Sequence, residues 1–317
     1  MNQLSLYVKK FSKLRAARVK GSIAPHKSVL LLSVIAGIEN GFIKENKIYI
    51  SAELVAQFKD YWHQLVTDPT FKANFSLPFY HLKSEGFWQL KTLAGRDILL
   101  TSSNSIKSFS HLKEVIDHAS FDEALYQLLT QQQEREVLRQ TLLTTYFANQ
   151  TTLTQHNSLI DEIAHQILHE PAAVYKTKVV YTDEEEVYVR KAVFKKEIPR
   201  IYNYTCCISG MRIIASESIQ MIDACHIVPF AVSHDDTISN GLSLCPNLHR
   251  ALDRGLIAID DNYNVLVKDF HEAAEAYSIR QFAGKPIQLP SQPAYYPSLT
   301  NLADHRKRFN FNMYTLT

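Results

Sequence analysis

The stretch from Asp223 to Leu256 limits the fold of this chain more than any other. Asp223-Ala-Cys-His-Ile-Val-Pro229 alternates weakly and ends at a proline, the pattern of a strand closing in a loop. Residues 231 to 241 are polar, with Asp, Ser, Asn and Gly, and read as that loop. Pro246 sits where a helix can begin, because its missing N–H costs nothing in the first turn. His249 and Asp253 are four apart and share one helical face, and Gly255 can end the helix. Ile257 to Val267 then reads as a hairpin. The outcome is strand, loop and helix, with His226 on the strand, Asn240 in the loop and His249 on the helix.

That ordered set, with Cys-Ile-Ser-Gly210 as a lead-in strand, Ile238-Ser-Asn-Gly-Leu-Ser-Leu244 and Asn247-Leu-His-Arg-Ala-Leu-Asp-Arg-Gly-Leu256, resembles the HNH nuclease family over about residues 195 to 270. The resemblance implies a ββα-metal fold that hydrolyses phosphodiesters. Such a reaction needs a deprotonated water and positive charge beside the developing anion. A neutral imidazole, with an ordinary pKa of about 6.5, suits the proton acceptor. The resemblance gives that role to His226, a metal-ligand role to His249, and to Asn240 the task of holding the loop and orienting His226. Asp223 is the expected carboxylate ligand, or else a strand-end acid. Many members place an acid immediately before the base; here that residue is Cys225. Asp253 reads as a helix-end or outer group. The implied cofactor is a divalent ion, Mg2+ or Mn2+, with other divalent ions open.

Composition removes several competing classes. A chain of 317 residues with 46% hydrophobic and 21% charged residues is globular rather than disordered, and long enough for two domains. It holds only 9 glycines, none arranged as a P-loop or a Gly-x-Gly-x-x-Gly, which argues against nucleotide and dinucleotide enzymes. The longest apolar run, Ser28 to Ala36, is too short to span a bilayer, and no signal peptide is evident. Four cysteines are too few for a disulfide framework, so a reduced, cytoplasmic protein is expected. Cys206, Cys207, Cys225 and Cys245 could together hold zinc, but no Cys-x-x-Cys exists and buried free thiols are the expectation.

Charge is distributed unevenly. Residues 1–150 carry 18 Lys and Arg against 13 Asp and Glu, a net of +5; residues 151–317 carry 16 against 19, a net of −3. No acid precedes Glu39, whereas Lys9, Lys10, Lys13, Arg15, Arg18, Lys20 and Lys27 do. This strip is either a solvated face or a phosphate-binding surface.

Ala24-Pro-His-Lys-Ser-Val-Leu-Leu-Leu32, followed by Leu77-Pro-Phe-Tyr-His-Leu-Lys-Ser-Glu-Gly-Phe-Trp-Gln-Leu90, resembles the sulfur-binding domain of phosphorothioation-dependent restriction endonucleases over about residues 5 to 150. Sulfur is larger, more polarizable and a poorer acceptor than oxygen, so an apolar cup beside cationic donors would favour it. The resemblance implies a cup of Pro78 with Leu77 and Phe79, joined by Tyr80 and His81. The cationic side is His26 and Lys27, assisted by Lys13, Arg15, Arg18 and Lys20. An aromatic residue usually precedes the proline in that family, where Leu77 stands here, and a small residue is common where His81 stands.

Along the chain, Ser28–Ile38 reads as a buried helix and Glu53–Val66 as a second. Phe71–Leu100 reads as short aromatic segments with turns: Pro78–Leu82, Gly86–Leu90 and Asp97–Leu100. The expected class is α+β: a mixed α/β recognition domain over 1–170 with a helical connector, a linker over 171–190, and the ββα-metal domain over 191–317. The expected partner is double-stranded modified DNA, the expected assembly a homodimer, and the expected setting bacterial restriction and defence. Two alternatives stay open: a reader of a modified base such as methylcytosine, and a non-catalytic DNA-binding regulator.

Overall fold

The computed structural model describes residues 2–19, 21–96, 106, 108–147, 158–178, 183–216, 219–272 and 277–311. It divides into two compact units, Met1–Asp161 with Thr182–Val189, and Glu162–Tyr181 with Arg190–Thr317.

In the first unit, α1 (Gln3–Phe11) leads into a short hairpin of β1 (Arg18–Val19) and β2 (Ser22–Ile23). The unit is built around α2 (His26–Glu39), whose residues from Lys27 to Gly37 are all buried. A helix apolar on every side can only be a core helix. Each fully buried Val, Leu or Ile there contributes about 1.5–3 kcal/mol relative to exposure. Then follow β3 (Ile48–Tyr49), α3 (Ala52–Leu65), α4 (Ser76–His81), β4 (Trp88–Thr92), α5 (Phe109–Val115), β5 (Ile116–Phe121), α6 (Glu123–Thr130) and α7 (Gln132–Tyr146). Helices α3, α4 and α7 pack on α2, and the strands form an antiparallel sheet in the order β3-β5-β4.

The segment Pro78–Leu82 corrects the expectation of a short aromatic run between turns: it lies in α4 and the 3₁₀ turn after it. Pro78 is tolerated because it sits in the first helical turn, where N–H groups have no intrahelical partner. Gly86–Leu90 does lead into a strand, β4. Asp97–Leu100 falls outside the described residues.

The second unit takes in most of α8 (Leu159–His169), then α9 (Ala172–Lys178), and the later part of α10 (Glu184–Ile201). Helices thus occupy much of the stretch read from sequence as a linker. The acids that open α10 suit the positive end of a helix dipole. This opening of α10 belongs to the first unit and is held there: Asp183, just before the helix, pairs with the buried ammonium of Lys59 at 2.5 Å, and Glu185 accepts from the backbone N–H of Phe75 at 2.8 Å.

Next come β6 (Ile214–Ser216), β7 (Ile219–Gln220), β8 (Asp223–His226), α11 (Phe230–Ser233), β9 (Gly241–Leu244), α12 (Pro246–Asp253), β10 (Ile257–Ile259), β11 (Val265–Val267) and α13 (Leu299–Arg308). β8 and β9 pair antiparallel, from Asp223 opposite Leu244 to His226 opposite Gly241. β10 and β11 form the expected hairpin. The lead-in strand expected at Cys207–Gly210 is instead a turn, with the Gly210 N–H donating to the Cys206 carbonyl at 2.9 Å. Gly210 makes it possible by adopting φ +72°, which side chains disfavour. Gly241 is required for space: a Cβ there would lie 2.2 Å from Cδ1 of Ile198 on α10. Among the described residues, no helix is long and apolar enough to cross a membrane.

Candidate functional site

His226 ends β8. Alternation along the strand places Asp223 and Cys225 on one face and His226 on the other. The His226 Nε2 lies 2.8 Å from Oδ1 of Asp236, whose carboxylate is almost wholly buried. Its ring stacks on Phe194 of α10, with centroids 3.9 Å apart and planes 4° off parallel. The second Asp236 oxygen accepts from the hydroxyl of Tyr175 on α9 at 3.4 Å. Burial, and then the negative charge of Asp236, push the Tyr175 hydroxyl well above its ordinary pKa, so it stays a donor. With Nε2–H donated to Asp236, the lone pair resides on Nδ1, which has no hydrogen-bond partner among the described residues. The arrangement can fix the imidazole and stabilise its charged form after it accepts a proton.

Asp236 and Phe194 were missed from sequence. The acid pair Asp235-Asp236, inside an otherwise neutral loop, was a usable signal for the first. For Phe194, one aromatic on a long helix, no local signal exists.

Asn240 is completely buried and braces the loop. Its Oδ1 accepts from the Val228 N–H at 2.9 Å, and its Nδ2 donates to the carbonyls of Val228 and Asp235, each at 2.9 Å. The loop-holding role expected of it has its geometry here. The amide does not itself reach His226; it acts through the loop that presents Asp236. Asn240→Ala would leave these three backbone groups without their partners, at a cost of about 1–3 kcal/mol. A lowered urea midpoint with an unchanged slope is the expected result. An unchanged midpoint would show that water or repacking replaces the amide.

On the opposite face of β8 lies a second cluster. One ligand atom each from Cys225, His249 and Asp253 lie within 4.8 Å of one another. His249 Nε2 is 3.4 Å from Oδ2 of Asp253, and Cys225 Sγ is 4.0 Å from its Oδ1. The other imidazole nitrogen, Nδ1, lies 3.1 Å from Oδ2 of Asp223. Both carboxylates are about half exposed, whereas Cys225 is fully buried. A donor set of imidazole, carboxylates and sulfur, open to solvent on one side, fits a divalent cation. The structure places Asp223 on the far nitrogen of His249, outside the group of ligand atoms formed by Cys225, His249 and Asp253. The four cysteines do not form a joint cluster among the described residues, and all are free and buried.

In the first unit, Leu77, Pro78 and His81 of α4 share one helical face. They line a cavity of about 500 Å³ together with Arg15, Ala16, Ala17, Val19, Ala24, His26, Lys27, Phe71 and Ser84. Phe79 does not line it, contrary to expectation. It is fully buried against Phe75 and Trp88, because the helical period turns positions 79 and 80 into the core. Tyr80 is likewise buried, with the Lys83 ammonium over its ring at 3.7 Å.

The cationic side also differs from expectation. Lys27 is buried and its ammonium is engaged, 2.5 Å from Glu85 and 2.9 Å from Ser84 Oγ. Removing that charge from its carboxylate to meet a phosphate would strand Glu85. His26 Nε2 meets the Lys72 carbonyl at 2.9 Å, its ring rests against Trp62, and burial lowers its pKa. Arg15 is exposed at the cavity; Lys13 and Arg18 are exposed without lining it, and Lys20 falls outside the described residues.

His81 is held below the ordinary imidazole pKa, first by burial and then by Lys27 and Lys83. A phosphate brought into the cavity would raise it. The bound form then holds the proton more tightly than the free form, so DNA affinity should rise as pH falls through the bound-state pKa. Binding isotherms between pH 8 and 6 should show this, and His81→Ala should flatten the dependence. A wild-type affinity independent of pH would exclude it.

Residues 5–163 match the family described as ScoMcrA-like, DNA sulfur-binding domain, and residues 206–260 match the HNH endonuclease family. No curated protein matches the chain. Among solved structures, it is similar to the modification dependent TagI restriction endonuclease, at 22% identity over 44% of this chain and 43% of that one, TM-score 0.31. It is also similar to the sulfur binding domain of ScoMcrA complexed with phosphorothioated DNA, at 22% identity over 45% and 87%, TM-score 0.36. The match covers less than half of the TagI chain's own length.

Proposed function

Because this chain belongs to the ScoMcrA-like DNA sulfur-binding domain family and carries an HNH endonuclease domain behind that module, we propose that it is a modification-dependent DNA endonuclease. Its N-terminal module reads a phosphorothioate, and its C-terminal domain hydrolyses the backbone. The observation that carries the catalytic half is the His226–Asp236 pair and the Cys225–His249–Asp253 cluster, carried on opposite faces of one strand by adjacent residues.

His226 takes the proton of the attacking water through Nδ1, and Asp236 stabilises the imidazolium that results. Phe194 fixes the plane of the ring, and Asn240 holds the loop that presents Asp236. A divalent cation held by His249 with the Asp253 carboxylate and the Cys225 thiol would supply positive charge to the scissile phosphate and the departing 3′ oxygen.

In the reading half, Leu77 and Pro78 supply an apolar wall against which sulfur is better placed than oxygen. Arg15 supplies charge at the rim, and exposed Lys9, Lys13 and Arg18 supply sequence-independent attraction that weakens with salt. One nuclease centre per chain makes a homodimer the simplest route to a double-strand cut. Action on DNA in a bacterial cytoplasm, as part of a restriction defence, completes the reading.

Matched plain, phosphorothioated and methylcytosine duplexes, each incubated with protein and a divalent ion, test it. Cleavage of the phosphorothioated duplex alone is expected. Cleavage of the methylated one would identify a modified-base reader, and binding without cleavage would identify a regulator.

A further inference from the structure

We propose that the Cys225 thiol makes the cation site beneath α12 selective for a zinc-class ion, Zn2+ or Co2+, over Mg2+ and Ca2+. This rests on the reading of the second unit as a metal-dependent nuclease, and names the ion class that the reading leaves open. The ligands are Cys225 Sγ, His249 Nε2 and a carboxylate oxygen of Asp253, already gathered within 4.8 Å of one another.

Asp223 has a different task from the ligand role expected of it. By accepting from His249 Nδ1 at 3.1 Å it fixes the tautomer, so that Nε2 presents its lone pair on the side of Asp253. A carboxylate behind a metal-bound imidazole orients it and strengthens it as a ligand. Cys225 is fully buried at one side of the group, and Asp253 is half exposed at the other.

One sulfur, one nitrogen and one oxygen with an open fourth position match the preferences of a tetrahedral catalytic zinc ion. They do not suit Mg2+, which takes oxygen ligands in near-octahedral geometry, or Ca2+, which takes six to eight oxygens. Softness points the same way, since thiolate favours the zinc class and carboxylate-only sites favour magnesium. As the metal–sulfur bond forms, the thiol proton leaves to the buffer.

The test is a Co2+ titration of the full chain followed by absorption. Wild type should show visible bands of low-symmetry four-coordinate cobalt and a sulfur-to-cobalt charge-transfer band in the near ultraviolet. Cys225→Ser should lose the charge-transfer band, whereas Cys206→Ser, at another buried thiol, should keep it. Cys225→Asp should shift the ratio of Zn2+ to Mg2+ affinity toward magnesium by about tenfold or more, measured by competition. Circular dichroism of each variant without metal reports whether it folds.

Cobalt bound through His249 with no sulfur band in wild type would overturn the inference while leaving the nuclease reading intact. A charge-transfer band that survives in Cys225→Ser would do the same. No uptake of any divalent ion, together with DNA cleavage that persists in a chelator, would overturn the metal-dependent reading and the inference with it.

Discussion

Replacing His226 by alanine is expected to slow cleavage of modified DNA by about 100- to 10,000-fold, the usual contribution of a positioned general base. DNA affinity should change little, because the imidazole lies in the second unit and the modified site is read in the first. The loss should therefore appear in the rate constant at saturating enzyme and not in the binding isotherm. Asp236→Asn should reproduce part of the defect. An amide in place of the carboxylate can still meet Nε2, but it no longer favours the tautomer with its lone pair on Nδ1, nor stabilises the imidazolium. Phe194→Leu should cost less, since it loosens the ring without removing the base. Single-turnover rates on one substrate order these three variants. Cleavage by His226→Ala at the wild-type rate would remove the catalytic assignment.

The second large effect is expected at the reading cavity. Leu77 is exposed at its wall, whereas Phe79 is fully buried. On the proposed reading, Leu77→Asp places a carboxylate in the path of the DNA phosphate, and like charges at a close interface cost several kcal/mol. Affinity for phosphorothioated duplex should fall by roughly 100-fold or more on the usual scale of about 1.4 kcal/mol per tenfold. Pro78→Ala should act differently. It thins the apolar wall and should narrow the ratio of phosphorothioated to plain affinity while leaving plain affinity nearly unchanged. Fluorescence anisotropy on matched duplexes at one salt concentration separates the two. If Leu77→Asp binds as tightly as wild type, α4 is not the reading surface.

Those outcomes turn on parts of the molecule that differ in how plainly the sequence announces them. The central helix α2 is legible because an apolar run too short to cross a bilayer is best placed in a core. The strand, loop and helix carrying His226, Asn240 and His249 are legible because a proline, a polar loop and a helix-stopping glycine punctuate them locally. Helix α4 was misread because its aromatic residues suit a strand in isolation. What decides is their burial against α2 and Trp88, which lies outside any short window.

Charge counting failed at Lys27 for a related reason. A run without acids looks free to meet phosphate, yet Glu85, 58 positions away, already holds that ammonium. Distance along the chain also hid the thiol at Cys225 from Asp253, its neighbour across β8 and α12. Reading residue types in order finds the elements of a site. Reading their partners requires the fold.

The central claim, that one chain reads sulfur in the DNA backbone and cuts with His226, is tested most directly by plasmid cleavage. Supercoiled plasmid with and without phosphorothioate linkages, otherwise identical, is incubated with wild type and with His226→Ala in the presence of a divalent ion. Linear or nicked product is expected only from wild type on the phosphorothioated plasmid. Equal cleavage of both plasmids by wild type, or undiminished cleavage by His226→Ala, would contradict it.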